Sequence, residues 1–242
     1  MKKLFTIFLC IICSSCLFAK IHPAVAEFRD TMYNDALNVE LLEQIYEVTV
    51  ATVKAELEGY ELYVELSRCE YYLGRCAVYR EEKKIAAKYF DKGIDYAKEA
   101  RDIKDDADAL IMHAENVSQN CAVKSTLYAM SNGLKIANYS EEALESDPHN
   151  AAALYMIEAQ HIYAPAPFNN FDKGIENMTN IVQDPKTRFE KDDLFNFTSA
   201  IAYGYMEKEE WSDALIWIEK AIEIYPNNFF VLDLKEQILE NK

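Results

Sequence analysis

The chain has 242 residues, half of them hydrophobic and only six of them glycine, which excludes a disordered chain and suits one extended helical domain. Its formal net charge of −16 excludes a general nucleic-acid binder, because a phosphate backbone repels a surface this acidic.

Residues 1–19 read as a secretory signal. Lys2 and Lys3 supply the positive start, and Leu4 to Ile12 an apolar run too short to span a bilayer as a permanent helix. Two cleavage readings are open: after Ala19 of Leu17-Phe18-Ala19, or at a lipobox-like Cys13-Ser14-Ser15-Cys16 that would leave Cys16 lipidated. Both place the mature protein in the periplasm or cell envelope, with the membrane touched only through that anchor. Beyond the signal lie Cys69, Cys76 and Cys121, an odd number. Cys69 and Cys76 stand about 10 Å apart along one predicted helix, too far for a disulfide, so all three read as small buried hydrophobes.

Residues 21–38 read as a loose leader with one short helix. Leu41, Leu42, Ile45, Val48, Thr52 and Val53 then recur at helical spacing over residues 39–57, and Gly59 breaks that helix. Residues 60–80 and 81–101 form the next two. The acidic stretch 102–108 lacks the glycine and glutamate of a calcium loop and reads as a helix N-terminus. Helices follow over 107–120 and 122–146, the latter with an expected kink or break at Asn132-Gly133. The helix over 151–163 ends at the rigid loop 165–170, and 171–182 follows. Asp147-Pro148, Asp184-Pro185 and Tyr225-Pro226 recur at separations of 37 and 41 residues, which marks stacked helix pairs.

The clearest repeat is residues 195–228. Ile201-Ala202, Tyr205, Ala214, Ile218, Ala221 and Pro226 define two amphipathic helices joined at residues 208–210, with alanines where backbones approach closely. Leu73-Gly74, Ala86, Phe90 and Gly93 repeat the pattern over 67–100. This spacing resembles the tetratricopeptide repeat (TPR), with Thr198 standing where that family favours Trp. The resemblance implies an all-α, TPR-like α-solenoid of antiparallel helix pairs over residues 20–242. Its repeats fall near 67–100, 107–148, 151–186 and 195–228, and a C-terminal capping helix covers 229–241.

No HExxH, GxSxG, P-loop or GxGxxG occurs, and the four histidines are scattered, so no enzyme, cofactor or metal is expected. Four N-x-S/T triplets, at Asn116, Asn138, Asn177 and Asn196, fall within predicted helices and read as chance. A stripe of Arg68, Tyr71, Tyr72, Arg75 and Tyr79 recurs every three or four residues. By the TPR resemblance, Arg68, Tyr71, Arg75, Val78 and Tyr79 line a concave groove, joined in the last repeat by Asn196, Ser199, Tyr203, Met206 and Glu207. Two guanidinium groups among phenols suit a carboxylate or acidic peptide, or else only neutralise Glu65, Glu70 and Glu81.

The signal, the irregular helix pairs and the loop carrying Pro165 and Phe168 also resemble the periplasmic TPR component associated with TRAP transporters, with Asn169-Asn170 in place of that family's glycines. Two functions follow as expectations. One is a non-catalytic scaffold for an envelope protein or peptide. The other is a ligand-handling accessory of a TRAP-type solute transporter, its pocket walled by Tyr155, Tyr163 and Phe168 and its partner a solute-binding protein.

Overall fold

A computed structural model describes residues 21–242. The proposed signal at 1–19 and the lipidation candidate Cys16 lie outside the described residues. Among those described, eleven α-helices and no strand occur: α1 (Pro23–Asp35), α2 (Val39–Glu56), α3 (Gly59–Tyr79), α4 (Lys83–Ile103), α5 (Ala107–Val123), α6 (Thr126–Ser146), α7 (Ala151–Tyr163), α8 (Phe171–Gln183), α9 (Lys191–Glu207), α10 (Trp211–Ile224) and α11 (Phe229–Asn241). The architecture is an all-α, TPR-like solenoid: α3/α4, α5/α6, α7/α8 and α9/α10 form helix pairs, and α11 packs on α10.

Local chemistry accounts for the boundaries. Asn38, Asp106, Ser125, Asn150, Asn170 and Asn228 each accept a backbone N–H as N-caps of α2, α5, α6, α7, α8 and α11. Helices α6, α8 and α10 stop just before Pro148, Pro185 and Pro226. The first and last pairs turn identically. Glu81 and Glu209 both take positive φ, at 63° and 60°. Their N–H groups donate to Val78 and Met206, and those of Glu82 and Glu210 to Ala77 and Tyr205. The salt bridges Arg80–Glu82 and Lys208–Glu210 repeat as well.

Small residues let the helices nest. Ala86, Ala202, Ala214 and Ala221 have no exposed surface. A Cβ on Gly74 would run into the Phe90 ring, and one on Gly93 into the Asn116 amide. Cys69, Cys76 and Cys121 are free; the first two are buried as expected, whereas Cys121 is half-buried.

Two expectations are corrected. Residues 21–38 are no loose leader: Val25, Phe28, Met32 and Tyr33 of α1 are wholly buried. Tyr33 stacks on Tyr225 with ring centroids 4.6 Å apart and meets Phe195 edge-on at 5.1 Å. Its carbonyl accepts from Asn228 at 2.7 Å. Arg29, 5% exposed, reaches Asp192 at 3.1 Å and Glu190 at 3.2 Å. Helix α1 therefore ties the start of the solenoid to its end. The second correction concerns Asn132-Gly133, which does not interrupt α6. No neighbour requires a special backbone there, and a Cβ on Gly133 would meet open space.

Gly74→Ala is expected to destabilise the fold by about 2 kcal/mol, since overpacking against Phe90 outweighs the better helix propensity of alanine. Chemical denaturation of wild type and variant measures the difference.

Candidate functional site

The inner helices α3, α5, α7 and α9 pack in succession, and α1 bridges α3 to α9. A central cavity of about 590 Å³ results, lined by residues of α3, α5, α6, α7, α9 and α11. Its charge is unusual for this chain. The lining contains one cationic side chain, Arg75, and no aspartate or glutamate.

Arg75 sits in a cage of phenols. One terminal nitrogen donates to Tyr33 Oη at 2.5 Å and Tyr71 Oη at 3.3 Å, and the other to Tyr79 Oη at 3.0 Å. The guanidinium carbon lies 5.0, 5.7 and 5.9 Å from the centres of the same three rings. Among the described residues, no acid forms an ion pair with it. Burial works against its charge, but the surrounding tyrosine oxygens outweigh that and hold the group protonated. Tyr33 Oη passes the contact on, donating to Asn196 Oδ1 at 3.4 Å, and Asn196 also lines the cavity.

The structure divides the residues singled out from the sequence. Arg75, Val78, Tyr79, Asn196 and Ser199 join Tyr155 and Tyr163 around this one cavity, so groove and pocket candidates share a site. Tyr71 and Tyr72 are core residues, 3% and 1% exposed, rather than groove walls, and Tyr72 donates to Asp192 at 3.0 Å. Arg68 does not face the cavity with Arg75. Its Nε lies 3.4 Å from Glu65, and it lines a second cavity. Tyr203 is outside the lining and rests against the Tyr163 ring at 5.5 Å. Met206 and Glu207 are outside it too. Phe168 is 76% exposed and lies outside the lining of this cavity. The loop 165–170 turns it outward while the Asn170 N–H ties back to the His161 carbonyl. Asn116 and Asn196, two of the N-x-S/T asparagines, are buried.

Sequence reasoning missed the second cavity, of about 360 Å³, beside the first along the same inner helices. Asp108 and Glu115 of α5, Asp192 and Asp193 of α9, and Arg68 of α3 line it. The only advance signal was the density of acids near the N-terminal ends of α5 and α9. Burial, reinforced by Asp192, pushes the Glu115 carboxyl up to about 7 against the opposing pull of Arg68 and Arg75. Burial also raises Asp108 and Asp193.

No family model matches the chain, and no curated protein matches it. Among solved structures, the chain is similar to one described as the crystal structure of YrrB, a TPR protein with an unusual peptide-binding site. Identity is 18% over 90% of this chain and 100% of that one, with a TM-score of 0.36.

Folded Glu115 holds its proton more tightly than an unfolded glutamate does, so wild type loses stability as pH rises from the ordinary carboxylate range through about 7. Glu115→Gln removes that loss. Its stability relative to wild type should therefore rise by up to about 3 kcal/mol between pH 4 and pH 8, as read by urea denaturation at both values.

Proposed function

We propose that the protein is a non-catalytic scaffold of the cell envelope that holds a protein or peptide partner by a carboxylate bound at Arg75. One observation carries this reading: a caged guanidinium without a paired acid lines the central cavity of a strongly acidic protein. A half-buried cation without a paired acid attracts an anion strongly, and a planar carboxylate matches the guanidinium fork. Tyr79, Tyr155, Tyr163 and Phe230 offer aromatic walls for an apolar residue next to that carboxylate. Envelope placement rests on the leader pattern at residues 1–19, and mass spectrometry of the mature N-terminus tests it, including lipidation at Cys16.

A second reading is favoured by size. About 590 Å³ is the volume of a small-molecule pocket, which suits a ligand-handling accessory of a TRAP-type solute transporter working with a solute-binding protein. In that case the carboxylate belongs to the solute.

Two probes separate the readings: the peptide Ac-Gly-Ser-Gly-Leu-Phe, with a free or an amidated C-terminus, and the small acids phenylacetate and succinate. The scaffold reading expects the free-acid peptide to bind, and amidation or Arg75→Met to weaken it at least tenfold in calorimetry. Small acids binding where the peptide does not would favour the transporter reading. Binding by neither, or binding indifferent to Arg75→Met, would overturn both.

A further inference from the structure

The second cavity differs from the first in chemistry and is not explained by the carboxylate reading. Its lining includes the acids Asp108, Asp147, Glu190, Asp192 and Asp193 with Glu115, against Arg68 and Arg188. Internal pairing removes part of this charge. Arg188 holds Asp147 at 3.2 Å, Arg29 from outside the lining holds Asp192 and Glu190, and Arg68 is taken by Glu65, which does not line the cavity. Asp108, Glu115 and Asp193 form no ion pair among the described residues, although Arg68 attracts all three from a distance. Asp193 is partly engaged, since its carboxylate accepts the Glu190 N–H. Glu115 is different: it is 7% exposed, forms no hydrogen bond or ion pair among the described residues, and lines the cavity.

An ionisable group this buried and this unpartnered normally costs the fold several kcal/mol or goes neutral, so its placement at a cavity wall asks for a counter-charge from outside. Among the described residues no three His, Cys, Asp or Glu side chains are grouped to hold a metal ion, which disfavours a bare divalent cation. Apart from Asn150, the remaining lining residues, among them Ile111, Met112, Ala151 and Phe189, are apolar and suit a methylene stem.

We propose that this second cavity is a receptor for an organic cation, an ammonium or guanidinium group on an aliphatic stem, held between Glu115, Asp108 and Asp193. Either a basic side chain of a protein partner or a free amine carries that chemistry. The site does not depend on the role of Arg75.

The test uses the mature protein and two kinds of probe: agmatine and cadaverine as free amines, and Ac-Gly-Lys-Gly-NH₂ and Ac-Gly-Arg-Gly-NH₂ as side-chain carriers. Both peptides lack a carboxylate, so they ask nothing of the first cavity. Isothermal calorimetry should show saturable one-to-one binding of at least one probe. Glu115→Gln and Asp108→Asn should each weaken it at least tenfold, while Glu223→Gln, an exposed acid on α10, leaves it unchanged. Binding confined to the peptides assigns the site to a basic side chain, and binding confined to the amines assigns it to a small solute. Circular dichroism checks each variant, and Asp108→Asn alone decides the matter if Glu115→Gln does not fold. Absence of saturable binding by all four probes overturns the proposal. So does an equal loss in Glu223→Gln, which would show only diffuse attraction to an acidic chain.

Discussion

The structure depends on the burial of Tyr33. A helix-pair array normally has two free ends, and each unit touches only its neighbours. Here α1 inserts one side chain between the first repeat and the last. Its ring lies flat on Tyr225 and edge-on to Phe195, its hydroxyl oxygen accepts a hydrogen bond from Arg75, and its main chain is held by Asn228. Arg29 adds a charged contact one helical turn away, to Asp192. These interactions join segments more than 160 residues apart. They bring α9 up to α3, and without that approach neither cavity would have its full wall.

Once the inner helices are arranged around a common interior, charge is sorted along them. Arg68 and Arg75 lie seven residues apart on α3, about 10 Å along the helix, yet their surroundings are opposite. Arg68 is matched by Glu65 and surrounded by acids from α5 and α9. Arg75 is solvated by phenols, which stabilise a cation without cancelling it. A carboxylate in place of one of those tyrosines would have closed the pair and left the central cavity neutral. The choice of hydroxyl over carboxylate leaves its positive charge available. Burial has the reverse effect beside Arg68, where more carboxylates crowd together than the local arginines can satisfy.

The repeat was legible in the sequence because close packing leaves a periodic trace. Gly74, Ala86, Ala202, Ala214 and Ala221 recur at fixed offsets, and prolines mark where second helices stop. The shared turn at Glu81 and Glu209 was less visible, since glutamate is not a residue associated with positive φ. Part of the site could be read too: Arg75, Tyr79, Asn196, Tyr155 and Tyr163 were all named in advance. Periodicity alone could not separate them from Tyr71 and Tyr72, because neighbouring residues on one helix face were judged without the α1 side chains that cover some of them. The docking of α1 itself left no periodic trace. Its partners lie more than 160 residues further on, and by itself it resembles any other thirteen-residue amphipathic helix. Glu115 was hidden for the same reason, since an acid on a helix is ordinarily solvated, and only the assembled ring removes its water.

The tether of α1 also bears on how the molecule is made. Helix α1 is made before its partners, and Asn228, which holds the Tyr33 carbonyl, follows 195 residues after it. Until those later segments follow, the Tyr33 ring has no stacking partner and Arg29 has no Asp192 to meet. An open repeat array can acquire structure unit by unit as it grows. This one completes its circuit only once α9 to α11 have joined it, so α1, made before them, is among the last helices to come to rest.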